Sequence, residues 1–183
     1  MGIDFSSLPE SEYDDPFGIS TGAGAMFGAT GGVLEAALRT VYEVATGRTL
    51  PSVDFHPVRG LEGIKEAEVD LNGMKLKVAV AHGLSNARTL MERIKQGTAD
   101  YHFIEIMCCP GGCIGGGGQP IPTTMETRAE RIRAIYEVDR SLPLRKSHEN
   151  PAIKRLYMEF LKEPLGEKSH ELLHTHYRRR PLF

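Results

Sequence analysis

Cys109 and Cys113, spaced C-x3-C, are the residues of this chain best suited to chemistry. They stand in F-I-E-I-M-C-C-P-G-G-C-I-G-G-G-G-Q-P, residues 103–120, a stretch that holds all three cysteines. Six of the twenty glycines fall within residues 111–118. Glycine lifts the Cβ barrier to unusual backbone angles and lets amides approach a ligand closely. Two thiolates in so permissive a backbone suit an iron–sulfur or zinc centre better than an apolar core. A disulfide is the plain alternative, but Cys108 and Cys109 are adjacent, and the opening residues show no charged, then apolar, then small-residue leader. A reducing, cytoplasmic setting is therefore expected.

Two other patterns compete. His170-Glu171-Leu172-Leu173-His174 is a literal H-E-x-x-H, in which histidines one helical turn apart hold zinc and the glutamate serves as base. It lies close to the last residue, so a third ligand has to come from upstream, and no separate scaffold remains to form a protease cleft. Gly22, Gly24 and Gly28 invite a dinucleotide-binding reading, but no buried strand precedes them and the spacing is one residue too long. The remaining histidines are scattered, and no Ser-His-Asp arrangement emerges from spacing.

The motif M-C-C-P-G-G-C-I-G-G-G-G-Q-P, from Met107, closely resembles the C-terminal cysteine motif of the iron-only (di-iron) hydrogenases, M-x-C-x-G-G-C-x-x-G-G-G-Q-P. The resemblance extends to F-G-A-T-G-G-V-L-E-A-A-L-R (27–39), V-R-G-L-E-G-I-K-E-A-E-V (58–69), R-K-S-H-E-N (145–150) and S-H-E-L-L-H-T (169–175). Separated blocks in the right order cover nearly the whole chain.

The resemblance implies an enzyme part that interconverts protons and electrons with dihydrogen. Its cofactor is a 4Fe-4S cluster joined through one cysteine sulfur to a di-iron unit carrying carbon monoxide and cyanide. By position Cys109 matches a cubane ligand, and Cys113 matches the ligand that also bridges to the di-iron unit. Met107, Phe27 and Gly28 match residues beside that unit, although a plain core aromatic accounts for Phe27 equally well. Amides that follow Pro110, among them Gly111 and Gly112, are suited to donate to cluster sulfurs. Cys108 falls where the family carries a small residue, and a buried inert thiol is expected there.

A cubane of this kind takes four thiolates, and this chain offers two in the right pattern. The family's two earlier cysteine motifs are not in the sequence, which leads us to expect the C-terminal lobe of a two-lobed catalytic domain, residues 1–183, inactive by itself. The expected partners are the complementary N-terminal lobe and a ferredoxin or NAD-linked electron-transfer subunit. The alternative is a non-enzymatic relative, because eukaryotic hydrogenase-like iron–sulfur assembly factors share the fold and the cysteine loop.

The positioning elements are those of an α/β chain. With 183 residues, 40% hydrophobic and 25% charged, the composition is that of a globular domain. A net charge of -2 gives no electrostatic case for nucleic acid, and no apolar run approaches the ~20 residues of a membrane span. Residues 1–20 are acidic and turn-rich and read as an extended arm. Apolar spacing predicts a helix over 33–45, with Leu34, Ala37, Leu38, Val41 and Ala45 inward and Gly47 as its stop. Alternation through Ala67, Val69 and Leu71, then Asn72-Gly73, then Met74, Leu76, Val78 and Val80 predicts a tight hairpin.

A helix over 85–96 follows, with Ser85 as cap and Ala87, Leu90, Met91 and Ile94 inward, then a strand over 102–107. Strand, helix, strand is a crossover unit with parallel strands, so the cysteine loop leaves the carboxyl end of a parallel strand, where α/β proteins place their sites. Helices over 126–140 (Ala129, Ile132, Ile135 and Tyr136 inward), 152–161 and 168–176 complete a small mixed sheet with amphipathic helices and a C-terminal helical tail. Residues 167–183 resemble the family's small-subunit-like tail.

Overall fold

The computed structural model describes residues 2–12 and 18–181. Two compact units divide the chain: Ser20–Asn150, and Met1–Ile19 together with Pro151–Phe183. The larger unit carries helices α1 (Gly22–Ala25), α2 (Gly32–Thr46), α3 (Leu84–Lys95) and α4 (Met125–Ser141), and strands β1 (Ile64–Leu71), β2 (Met74–His82) and β3 (Phe103–Met107). The sheet order is β1-β2-β3, with β1 antiparallel and β3 parallel to β2.

Local chemistry sets these elements. Asn72 (φ 57°) and Gly73 (φ 98°) both take left-handed backbone, the requirement of a two-residue hairpin turn, and the Gly73 N–H donates to Asp70 Oδ1 at 2.6 Å. The turn sets the register Leu71↔Met74 through Ile64↔Ala81. Consecutive residues from Val78 to His82 are buried because β2 is the central strand, covered on both faces. On one face Val78 and Val80 pack with Leu34, Leu38 and Val58. On the other, Ala79 and Ala81 pack with Leu90, beside Ile64, Tyr101 and Ile104. A third cluster joins Ala23, Met26, Ala36 and Tyr136, with Ile132 and Ile135 against it, and so ties α1 and α2 to α4.

Several helix faces differ from the apolar pattern. On α2, Val41 and Ala45 are exposed, while Glu35 and Arg39 are fully buried. Their burial rotates the inward face toward residues that a hydropathy pattern assigns to solvent, and it is tolerated because each charge is paired. On α3, Ala87 and Leu90 face inward, but Met91 and Ile94 are exposed. Ser85 lies inside α3, and Gly83 is its N-cap, with no side-chain hydrogen bond. Ala129 of α4 is exposed, whereas Asp139 is buried.

In the smaller unit, residues 2–12 hold a single 3-10 turn, Phe5–Ser7, and the expected arm residues 13–17 lie outside the described residues. Helix α5 (Pro151–Leu156) passes into a π-turn, Tyr157–Leu161. Helix α6 (Glu167–Leu173) ends three residues before the predicted boundary, at His174, which has extended backbone. No described helix is long and apolar enough to cross a membrane.

Candidate metal centre

The cysteine loop leaves the carboxyl end of β3, as the crossover reading requires. Cys109 is half-buried, and Cys113 is exposed on a 3-10 turn, Cys113–Gly115. Cys108, expected to be buried, is exposed as well. It follows β3 directly, where the chain turns outward to begin the loop. All three thiols are free of disulfides.

The loop folds on itself through backbone bonds, the amides of Gly112, Gly115 and Gly116 donating to the carbonyls of Cys109, Gly112 and Cys113 at 3.0 Å each. The Gly112 amide is thereby committed to the loop and is not available to a cluster sulfur. Gly111 (φ 84°) and Gly112 (φ 95°) take backbone angles that a side chain would strain. A Cβ on Gly112 would lie 2.8 Å from the Thr30 nitrogen, 2.9 Å from the Gly28 carbonyl oxygen and 2.9 Å from Met107 Sδ. Gly112, Gly28 and Met107 therefore converge at one point, although the sequence separates Gly28 from the cysteine motif that holds the other two. A further backbone bond, Thr30 N–H to the Gly111 carbonyl at 3.0 Å, locks the segment after Gly28 to the loop. Phe27 is 48% exposed, which removes the core-aromatic account of it.

Side chains that sequence reasoning passed over hold this arrangement. The N-cap of helix α2 is Gly31, which has no side chain to satisfy the first amides. Glu105 of β3 supplies the missing acceptor: its Oε1 accepts from Gly31 N–H at 2.5 Å and its Oε2 from Leu34 N–H at 2.7 Å. The signal in the sequence was a lone carboxylate in an otherwise apolar strand. Lys65 enters the same region, donating to the Gly60 carbonyl at 2.8 Å and the Thr30 carbonyl at 3.3 Å. Burial pushes its ammonium down to about 8 against the attraction of Glu105. From α4, Arg131 donates to the carbonyls of Ile114 (2.7 Å) and Pro120 (2.9 Å), bracketing the glycine run.

Helices α2 and α4 share a largely buried ionic network. The Arg39 guanidinium is bidentate on Asp139 (2.7 and 2.9 Å), and it also donates to Glu35, the Val53 carbonyl and the Arg145 carbonyl. Arg59 pairs with Glu35 and Asp54, and Arg145 with Asp54 and Asp139. Three guanidiniums face three carboxylates. Burial opposes ionisation of Asp139, but the bonds from Arg39 and Arg145 prevail and hold its carboxyl below the usual range.

Elsewhere, Glu43, His148 and Glu149 bring ligand-type atoms within 4.8 Å of one another, the one such group of three among the described residues. Lys146 already occupies that place, with its Nζ 2.8 Å from Glu43 and 2.6 Å from Glu149. Of the H-E-x-x-H histidines, His170 lies on α6 and His174 is its C-cap, and no third ligand-type residue joins them among the described residues.

The sequence profile described as "Iron only hydrogenase large subunit, C-terminal domain" matches residues 1–117, and "Iron hydrogenase small subunit" matches residues 125–180. The chain belongs to the iron-only hydrogenase family. It is 55% identical to the NADP-reducing hydrogenase subunit HndD of Solidesulfovibrio fructosivorans over 98% of its own length and 31% of that protein's. It is 31% identical to the cytosolic iron-sulfur assembly component 3 of Rattus norvegicus over 82% of its length and 31% of the relative's. The [FeFe]-hydrogenase HydA1 from Chlamydomonas reinhardtii has a similar structure, with a TM-score of 0.72 and 45% identity over 96% of this chain and 51% of that one. This iron-only hydrogenase family member thus spans about a third of the length of these curated relatives and about half of the solved chain.

The family implies iron–sulfur binding, and the residues of this hydrogenase-family chain fit it. A Cβ on Gly116 would sit 3.3 Å from Cys109 Sγ, so the missing side chain leaves that sulfur room. Arg128 Nε is buried without a partner and lies 2.9 Å from where a Gly115 Cβ would stand, which places an unanswered donor behind the loop. Thiolates are soft donors that suit iron.

Proposed function

We propose that this chain supplies the C-terminal part of the catalytic domain of an iron-only hydrogenase, which interconverts protons and electrons with dihydrogen. The convergence of Gly28 and Met107 on Gly112, within the loop that carries Cys109 and Cys113, supports the reading. When bound, a 4Fe-4S cluster bridged to a di-iron unit with carbon monoxide and cyanide ligands supplies the redox and hydrogen chemistry.

Cys109 holds the cubane, and Cys113 holds the cubane and the di-iron unit together. Met107, Phe27 and Gly28 line the di-iron side. Gly111 and Gly112 let the loop fold tightly enough to present both thiols, Arg131 holds its outer turn, and Glu105 fixes the segment that carries Phe27 and Gly28. Because a cubane takes four thiolates and this loop presents two, the complementary part of the catalytic domain provides the rest. Electrons arrive from a ferredoxin or an NAD-linked subunit in the cytoplasm.

A relative named as a cytosolic iron–sulfur assembly component favours a second, non-enzymatic reading, a scaffold for cluster assembly. The higher identity to a named hydrogenase supports the first. The test combines the chain with the complementary portion of an iron-only hydrogenase catalytic domain, matures the complex anaerobically and measures hydrogen release from a reduced viologen. Cys109→Ser and Cys113→Ser should each abolish it, and Cys108→Ala should not. Full turnover in either serine variant defeats the ligand assignment, and cluster binding with no turnover in the unaltered complex selects the scaffold reading.

A further inference from the structure

Two groups of ligand-type side chains lie outside the cysteine loop, and electrostatics separates them. In the first, Glu43 accepts from Lys146, from the Leu50 amide and from His148, so a cation and two donors already answer it. A metal ion there has to displace an ammonium held at 2.8 Å and 2.6 Å by two carboxylates.

The second group is open. His170 and His174 are both exposed, with ring centroids 4.5 Å apart and planes tilted by 37°. His170 is on α6 and His174 is its C-cap, with extended backbone but still joined to the last turn: His170 N–H donates to the Gly166 carbonyl at 2.9 Å and His174 N–H to the His170 carbonyl at 3.2 Å. The opposite face is pinned, because buried Ser169 donates its hydroxyl to the Glu163 carbonyl at 2.7 Å. Lys168, on the same helix as His170, is engaged elsewhere, since its Nζ sits 3.5 Å from the centroid of the Phe160 ring. Glu167 and Glu171, exposed and on the stripe of the two histidines, add negative charge without a competing ammonium.

We propose that His170 and His174 form a surface site for one divalent transition-metal ion, with water completing its coordination. Two nitrogen ligands of one ion lie about 3 Å apart, within reach of rings already this close. Imidazole donors select zinc or copper over ferrous iron, which stands lower in the affinity order, so the site and the thiolate loop take different metals. With two protein ligands and open positions, it is a metal-docking site and not the closed cage of a structural zinc.

The test is titration of the purified chain with Zn2+ after its cysteines have been alkylated, so that thiolates cannot contribute. A single equivalent should bind, vanish in His170→Ala and in His174→Ala, and persist in His56→Ala, with far-ultraviolet circular dichroism confirming the helix content of each variant. On the unaltered alkylated chain, bound Cu2+ should show splitting from two nitrogen donors in its electron paramagnetic resonance spectrum. Uptake that survives both His170→Ala and His174→Ala, uptake lost only in His148→Ala, no uptake at all, or a copper spectrum without nitrogen splitting each overturns the proposal.

Discussion

The Glu105 carboxylate of β3, on the sheet face that packs against α2, caps that helix, with its Oε1 2.5 Å from the Gly31 nitrogen. A residue two positions before Met107 therefore sets the start of the helix whose preceding segment carries Phe27 and Gly28. Glu105→Ala leaves two buried amides without an acceptor, and loss of a charged hydrogen-bond partner at each end should destabilise the fold by about 3 kcal/mol. Chemical denaturation of the purified variant measures it. A change within experimental error shows that the cap is dispensable.

Gly112→Ala should disrupt the loop. The added methyl meets two backbone atoms and the Met107 sulfur inside 3.0 Å at a φ of 95°, so either the loop or the Gly28 segment has to move. The expected loss is about 2 kcal/mol or more, together with failure to retain iron in the complex with the complementary part. Gly117→Ala, with nothing within 4 Å of its Cβ, is the control expected to keep both properties.

Asp139→Ala removes the bidentate partner of a guanidinium that is fully buried. Breaking a buried ion pair from one side costs up to about 3–5 kcal/mol; Arg39 keeps Glu35 as a partner, so the loss should fall at or below the lower end of that range, and thermal unfolding should shift downward. The double variant Arg39→Met with Asp139→Leu should recover part of the loss, because it replaces both members of the pair, while Glu35 keeps Arg59 and Arg145 keeps Asp54.

Lys65 gives a pH signature. Its folded-state value is lowered to about 8 from 10.5 by burial. Below about 8 the group is protonated in both states and contributes no slope. Between about 8 and 10.5 the unfolded chain binds the proton that the folded chain has released, so stability rises with pH by up to about 3 kcal/mol across this window. Subtracting the pH dependence of Lys65→Met from that of the unaltered chain isolates this contribution from other groups that titrate there. A difference that is flat from pH 8 to 10.5 refutes the assignment.

Local rules in the sequence determined a good part of this structure. Asn72-Gly73 specified the hairpin because both residues accept positive φ, and the order of strand, helix and strand specified a parallel β2–β3 pair with the cysteine loop at its carboxyl end. The C-x3-C spacing and the glycine run marked the loop that we propose as the metal centre, since those are properties of neighbours along the chain. The tertiary structure alone decided which charges lie inside. Glu35, Arg39 and Asp139 sit where a hydropathy pattern expects solvent, and their burial turned α2 away from the face that Val41 and Ala45 suggested. Nothing in one segment reveals that its carboxylate will meet a guanidinium a hundred residues away. The meeting of Gly112 with Gly28 and Met107 is of the same kind, a close approach of segments that folding brings together and no local periodicity encodes.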